Sequence, residues 1–355
     1  QSSKACPELA EGFKVQSESF KLKVVETDIS HYSLKEQFLL PLIIEREKVD
    51  IMHFPHFNVP VLYKGKYVVT IHDLIKHSSR GTGTTTRSPC LYWLKYLGYK
   101  FVFRQAVKRA EKIITPSRFV KGEIVKEYGV NPNKIVVTYE GVDTKIKNQK
   151  SKIKNKTKNS KLLEQYKIKK PYLLYVGSVY PHKNIERLIE AMERLQTTDY
   201  RLQLVIVCAR NVFSERLSKF VEQSGAASYV NLVGFVLDED LTILYKEAEV
   251  FVFPTLSEGF GLPGLEAMSL DCPVVCSDIP VLKEIYKDAA IYFDPLDSND
   301  MAEKIKNVTG KRDIRNQLIK EGQELVKEYS WEKTARETLK IYKSSIEAGY
   351  MVKST

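Results

Sequence analysis

Cysteine is scarce in this sequence, and no long apolar run interrupts it. The five cysteines, Cys6, Cys90, Cys208, Cys272 and Cys276, are odd in number and scattered, with no CxxC pair answered by a second. That spacing speaks against a disulfide framework or a structural zinc site, and for a reducing compartment. Cys272 and Cys276 bracket an apolar strand and read as buried small hydrophobes. Nothing approaches the roughly 18 consecutive apolar residues that span a bilayer, and no secretory signal opens the chain. Acidic residues are absent from 145–161, which holds eight lysines. This run supplies most of the formal charge of +11, since residues 1–144 carry 22 basic and 15 acidic side chains and residues 162–355 carry 25 and 29. Because that excess sits in a low-complexity run rather than along a structured groove, no nucleic-acid partner is expected.

What is present is an ordinary globular composition: 355 residues, 43% hydrophobic and 28% charged, enough for two domains with a core each. Apolar runs at 50–54, 67–74, 112–117 and 134–141 read as strands. Ser117 and Gly129 are placed to start and stop a helix over 118–128. Beyond the lysine run, 172–178, 202–208, 230–236, 250–254 and 273–277 read as strands, with helices predicted over 184–195 and 214–225. Buried strands separated by helices of 10–15 residues imply βαβ units and parallel sheets. A last helix is predicted over 329–345, capped by Ser330. The fold class is therefore α/β, two Rossmann-like domains facing across a cleft. Residues 1–144 form the first, 145–161 a solvated mobile linker, 162–328 the second, and 329–355 a closing helix.

Four segments carry candidate chemistry. In 254–268 a strand ends at Pro254, a glycine-bearing loop follows, and Pro263 marks the first turn of a helix. The amides of Phe260, Gly261 and Leu262 can face an anion beside that helix N-terminus, where Gly259 and Gly261 allow close approach. Glu258 and Glu266 can hold two parts of one extended ligand; two surface glutamates around a glycine turn is the plainer alternative. In 175–184, a strand meets a tight turn at Gly177 and Ser178 and then a helix. Lys183 there opposes the helix dipole, which points to an anion such as a diphosphate, with His182 placed to assist; a solvated lysine is the alternative. In 70–74, His72 and Asp73 emerge at the carboxyl end of a strand, where a histidine can donate a hydrogen bond or exchange a proton. His53 and His56 read as packing or loop residues. Residues 91–112 interleave aromatics with Lys95, Lys100, Arg104, Lys108 and Arg109. That suits a helix resting on an anionic membrane, or, more commonly, a domain helix with a solvated basic face.

Together these segments resemble family 4 of the retaining glycosyltransferases, of GT-B fold, from about Asp50 to Ser345. The most specific part is the E-x7-E element running from Glu258 to Glu266. Residues 176–192 resemble the family's diphosphate turn, 70–75 its active-site histidine strand, 112–143 the end of its first domain, and 330–342 its crossing helix. The resemblance implies a hexosyltransferase using GDP-mannose or, second, a UDP-sugar, with no metal and no other cofactor; no DxD-type motif stands in a matching position. It implies Glu266 on the ribose hydroxyls, and Glu258 with the backbone of Phe260 to Leu262 on the transferred sugar and diphosphate. Lys183 is assigned to the departing diphosphate and His72 to the donor sugar from across the cleft. The acceptor is expected to be a glycan or a lipid-linked glycan, and the location cytoplasmic, peripheral at the inner membrane face. Two departures stand out. Ser178 or His182 occupies the position of a frequent family arginine. Residues 1–35 also lack the opening strand and glycine loop, so the first sheet is expected to be a strand short. A non-catalytic nucleotide-sugar-binding protein is the alternative function.

Overall fold

The computed structural model describes residues 23–78, 89–142, 156–196 and 201–351. Two wholly parallel sheets are present. The first comprises β1 (Met52–Phe54), β2 (Tyr67–Thr70), β3 (Lys112–Thr115) and β4 (Ile135–Val137), in that spatial order. Among the described residues no strand precedes β1; helix α1 (Leu34–Arg46) does. Short α2 (Ile75–Ser78) and long α3 (Pro89–Arg109) lie between β2 and β3, and α4 (Arg118–Tyr128) between β3 and β4. The start and stop read from the sequence for α4 are those observed. Ser117 Oγ accepts the Val120 amide at 3.2 Å, and Gly129 closes the helix in the left-handed region at φ 62°.

The second sheet holds β5 (Tyr172–Val176), β6 (Gln203–Val207), β7 (Val230–Gly234), β8 (Val250–Phe253), β9 (Val274–Ser277) and β10 (Ala290–Phe293). Their spatial order is β10-β9-β8-β5-β6-β7. Strands β5, β8 and β9 are buried almost throughout, whereas edge strands β7 and β10 are only partly so. That is why the central strands read as unbroken apolar runs. Helices α5 (Lys156–Gln165), α6 (Ile185–Leu195), α7 (Val212–Gln223), α8 (Asp238–Glu247), α9 (Leu262–Ser269), α10 (Pro280–Tyr286), α11 (Ser298–Gly310) and α12 (Arg312–Leu325) complete this domain. In α6, Ile185, Leu188, Ile189, Met192 and Leu195 form one buried stripe at helical spacing. Each such side chain contributes about 1.5–3 kcal/mol when fully buried.

The lysine run is shorter than expected as a linker. Residues 145–155 lie outside the described residues, but 156–161 belong to α5 rather than to a mobile segment. Leu162 and Leu163 are buried, and Asn159 Nδ2 donates to Glu247 Oε1 at 2.7 Å, so packing holds a helix that the lysines alone do not favour. The final helix, α13 (Trp331–Met351), returns to the first domain, where Ile341 packs with Val68 and Ile114. Ser330 Oγ accepts the Lys333 amide, and Thr334 Oγ1 donates to the Tyr139 carbonyl at 2.6 Å. His53, read as a packing residue, bonds Tyr342 of this helix and Thr70 of β2. Cys208, Cys272 and Cys276 are free and buried; Cys6 lies outside the described residues.

Candidate active site

Strand order reverses at β5 and β8. From β5 the chain goes outward through β6 and β7 on one side, and from β8 through β9 and β10 on the other. Open parallel sheets form a ligand crevice at such a switch point, outside the carboxyl ends of the strands. Lys183 follows β5 and Glu258 follows β8, so the two halves of the crevice each contribute one charge. Lys183 Nζ and Glu258 Oε1 form an ion pair, with side chains only 14% and 12% exposed. The anion inferred from Lys183 is thus supplied, within the chain, by Glu258. Burial outweighs the attraction of Lys183 and holds the Glu258 carboxyl above the usual range.

Around this pair the backbone is shaped for close approach. Gly177 takes φ +146°, which a side chain rarely adopts, and its amide donates to the Val207 carbonyl at 3.0 Å. The Ser178 carbonyl accepts Tyr175 Oη at 2.6 Å. Pro181–Lys183 form a 3-10 turn, and Asn184, also left-handed, donates Nδ2 to the carbonyls of Pro254 and Pro295 at 3.1 and 2.8 Å. That amide ties the turn after β5 to the turn after β8. His182 does not add a second positive charge: burial, aided by Lys183, pushes its pKa down to about 4, so the ring is neutral near pH 7.

The turn from Glu258 to Leu262 leads into α9. Gly261 has φ +101°, and its carbonyl accepts Tyr286 Oη. Among the hydrogen bonds of the described residues, the amides of Phe260, Gly261 and Leu262 have no protein acceptor. They sit at the N-terminus of α9, where the dipole favours an anion. The Phe260 ring is buried against Tyr139 and Tyr329, with centroids 6.2 and 5.6 Å away, so only its backbone is available to a ligand. Glu266 lies one helix turn on and accepts Tyr245 Oη at 3.2 Å.

The first domain meets this turn directly. His72 lies two residues past β2, and a side chain added at Gly259 would collide with the His72 carbonyl. The two backbones are therefore in contact across the cleft. His72 Nδ1 is 3.0 Å from Glu140 Oε1 and Nε2 is 3.1 Å from the Pro55 carbonyl. Both partners only accept, so the ring that satisfies both is the imidazolium. The Glu140 hydrogen bond accordingly raises the His72 pKa despite burial. Glu140 and the Pro55 carbonyl escaped the sequence reading, although Glu140, like His72, follows a first-sheet strand at its carboxyl end. No group of three or more His, Cys, Asp or Glu among the described residues is placed to hold a metal.

Comparison with known proteins gives the family and the fold. A family model described as "Glycosyltransferase Family 4" matches residues 21–146, and one described as "Glycosyl transferases group 1" matches 156–325. The chain is 30% identical over 296 residues to O-antigen chain mannosyltransferase B of Escherichia coli, covering 82% of this chain and 74% of that one. It is 31% identical over 256 residues to O-antigen chain mannosyltransferase RfbU of Salmonella typhimurium, covering 71% and 63% respectively, so the match spans just under two thirds of that relative. Among solved structures, Anabaena HepE in complex with UDP and glucose superposes with a TM-score of 0.71 over 89% of this chain and 84% of that one, at 14% identity. A glycosyltransferase from Rickettsia africae gives 0.69 over 91% and 84%, at 19% identity. These likenesses show the GT-B fold.

Proposed function

The chain belongs to family 4 of the glycosyltransferases, and from that membership we propose that it moves a hexose, mannose in the first instance, from a nucleoside-diphosphate sugar to a glycan or lipid-linked acceptor with retention of configuration. GDP is the favoured nucleotide and UDP the second. The observation that carries this reading is the Lys183–Glu258 pair at the switch point, beside the open amides of Phe260, Gly261 and Leu262 and opposite His72. On donor binding Lys183 turns from Glu258 to the diphosphate. The three amides and the α9 N-terminus then stabilise the charge that grows as the glycosidic bond breaks. Glu258, released from the lysine, takes hydroxyls of the transferred sugar, and Glu266 takes the ribose. The His72 imidazolium, held by Glu140 on Nδ1, gives up the Pro55 carbonyl and donates Nε2–H to the donor sugar. The acceptor attacks on the face the diphosphate leaves, within an ion-pair-like state, and no metal takes part.

The acceptor is proposed to approach from the first domain. A cavity of about 640 Å³ opens between α1 and α3 and is lined by Tyr32, Phe57, Lys95 and Tyr99. Phe57 is two residues from Pro55, whose carbonyl holds His72. Trp93, Leu94, Leu97 and Phe101 are exposed on α3, and Leu34, Phe38 and Leu42 on α1. α3 carries five basic and no acidic residues. We assign this face to peripheral contact with an anionic membrane at its cytoplasmic side. No helix among the described residues is long and apolar enough to cross a membrane.

The test is a donor screen with GDP- and UDP-sugars, run with and without a chelator, following sugar transfer and the anomeric configuration of the product. Wild type is expected to turn over one donor with retention, and Glu258→Ala and His72→Ala to lose transfer by orders of magnitude; equal activity in all three proteins overturns the assignment. A second reading, nucleotide-sugar binding without transfer, draws on the lack of a strand before Met52 among the described residues. It predicts donor binding with no product.

A further inference from the structure

The start of α4 is capped from two domains at once. A helix leaves its first amides without internal partners. Ser117 Oγ serves one of them, that of Val120, and donates its own hydrogen to the Gly259 carbonyl at 2.8 Å. The two before it, of Arg118 and Phe119, are served from the other domain. Glu284, on α10, accepts the Arg118 amide on Oε1 at 2.7 Å and the Phe119 amide on Oε2 at 2.9 Å. Tyr139 Oη donates to the same Oε1 at 3.0 Å. A carboxylate at a helix N-terminus is favoured by the dipole and by charge-assisted hydrogen bonds, so this contact between domains is stronger than ordinary surface packing.

Each element in this contact also touches the site. α10 carries Tyr286, whose hydroxyl holds the Gly261 carbonyl of the donor turn. Ser117 reaches Gly259 of the same turn and is fully buried. Tyr139 precedes Glu140, which holds His72, and its ring stacks edge-on against Tyr329 and lies against Phe260. Glu284 is therefore linked to the histidine through Tyr139 and its neighbour Glu140, and to the donor turn through Tyr286, two residues further along α10.

We infer that Glu284 is a positioning residue for sugar transfer: its carboxylate clasps α4 and Tyr139 of the first domain, and so sets His72 against the Glu258–Leu262 turn. Its carboxylate oxygens are taken by the Arg118 and Phe119 amides and the Tyr139 hydroxyl, and the groups assigned to the diphosphate all lie within the second domain. Removing it separates alignment from binding. This inference rests on the proposed reaction for its kinetic readout, but its geometric consequence does not.

The experiment compares wild type with Glu284→Ala and Tyr139→Phe, using GDP-mannose as donor and GDP as the binding probe. Glu284→Ala is expected to lower kcat by about 100-fold, the order of loss for an ångström-scale misplacement of a catalytic group, while GDP affinity by calorimetry changes less than threefold. Tyr139→Phe, which deletes one of three bonds to the carboxylate, is expected to lower kcat several-fold with GDP affinity unchanged. Small-angle scattering of the unliganded proteins is expected to show a larger radius of gyration for Glu284→Ala than for wild type. Wild-type kcat in Glu284→Ala overturns the inference, as does a parallel loss of GDP affinity in both variants. If wild type itself turns over no donor, the proposed reaction fails, and an unchanged radius of gyration in Glu284→Ala then overturns the clasp independently.

Discussion

Gly259→Ala isolates the contact between the two domains. Gly259 is outside the left-handed region, so alanine adopts its backbone conformation without strain. The obstacle is steric. An added Cβ would sit about 1 Å inside the 3.0 Å approach that real side chains keep, and the atom it meets is the His72 carbonyl oxygen, a backbone group that cannot rotate away. The first domain must therefore recede from the donor turn by about 1 Å, carrying His72 with it. A displacement of that size costs on the order of 100-fold in rate. The diphosphate-facing amides and Lys183 belong to the second domain and stay together, so GDP affinity is expected to change by less than about threefold, since the altered contact is not one the nucleotide makes. Steady-state transfer from GDP-mannose and calorimetric titration with GDP measure the two quantities. A variant with wild-type kcat refutes the claim that the backbones are in working contact. A variant that loses GDP binding as steeply as kcat refutes the division of labour between domains.

Further outcomes follow from the charges. Glu258→Ala leaves Lys183 nearly buried without its partner, and is expected to lower stability by about 3 kcal/mol in urea unfolding, along with a loss of transfer of at least about 100-fold; stability equal to wild type would mean the pair contributes nothing. Glu140→Gln removes the main cause of the raised His72 pKa, so NMR titration of the ring is expected to move to lower pH. The sign for stability follows: the contribution of a raised histidine is complete below its unfolded value of about 6.5 and fades as pH climbs through the higher folded value, so wild type should outlast Glu140→Gln below that window and converge on it above. His182 works in the opposite sense. Its folded pKa of about 4 means that the unfolded chain alone takes up this proton between about pH 6.5 and 4, so acid lowers stability, and His182→Asn is expected to lose less stability between pH 7 and 4.5 than wild type.

Much of the architecture was legible because central parallel strands are buried on both faces. Runs such as Tyr172–Val176 and Val250–Phe253 leave no polar side to confuse the pattern. β10 escaped because Ala290–Phe293 is four residues long and held as an edge strand by its pairing with β9, a partner that local sequence does not reveal. α5 escaped because its first two turns are polar and rich in lysine, and what fixes them is the burial of Leu162 and Leu163 farther on. At the site, each charge was visible but its partner was not. Lys183 announced a missing anion, yet that Glu258, 75 residues on, supplies it depends on β5 and β8 being neighbours in the sheet. Glu284 gave no signal at all, since a glutamate on a short helix reads as a solvated surface group until α4 is brought against it.

α13 has a consequence for anyone who alters the protein. Its sequence follows the second domain, but Ile341 and Tyr342 are built into the first, beside Val68 and His53. Shortening the polypeptide from that end, or fusing a partner there, would strip a wall from the sheet that presents His72, leaving the nucleotide half whole. Damage at one extremity of the chain would thus appear as a defect in the domain encoded at the other.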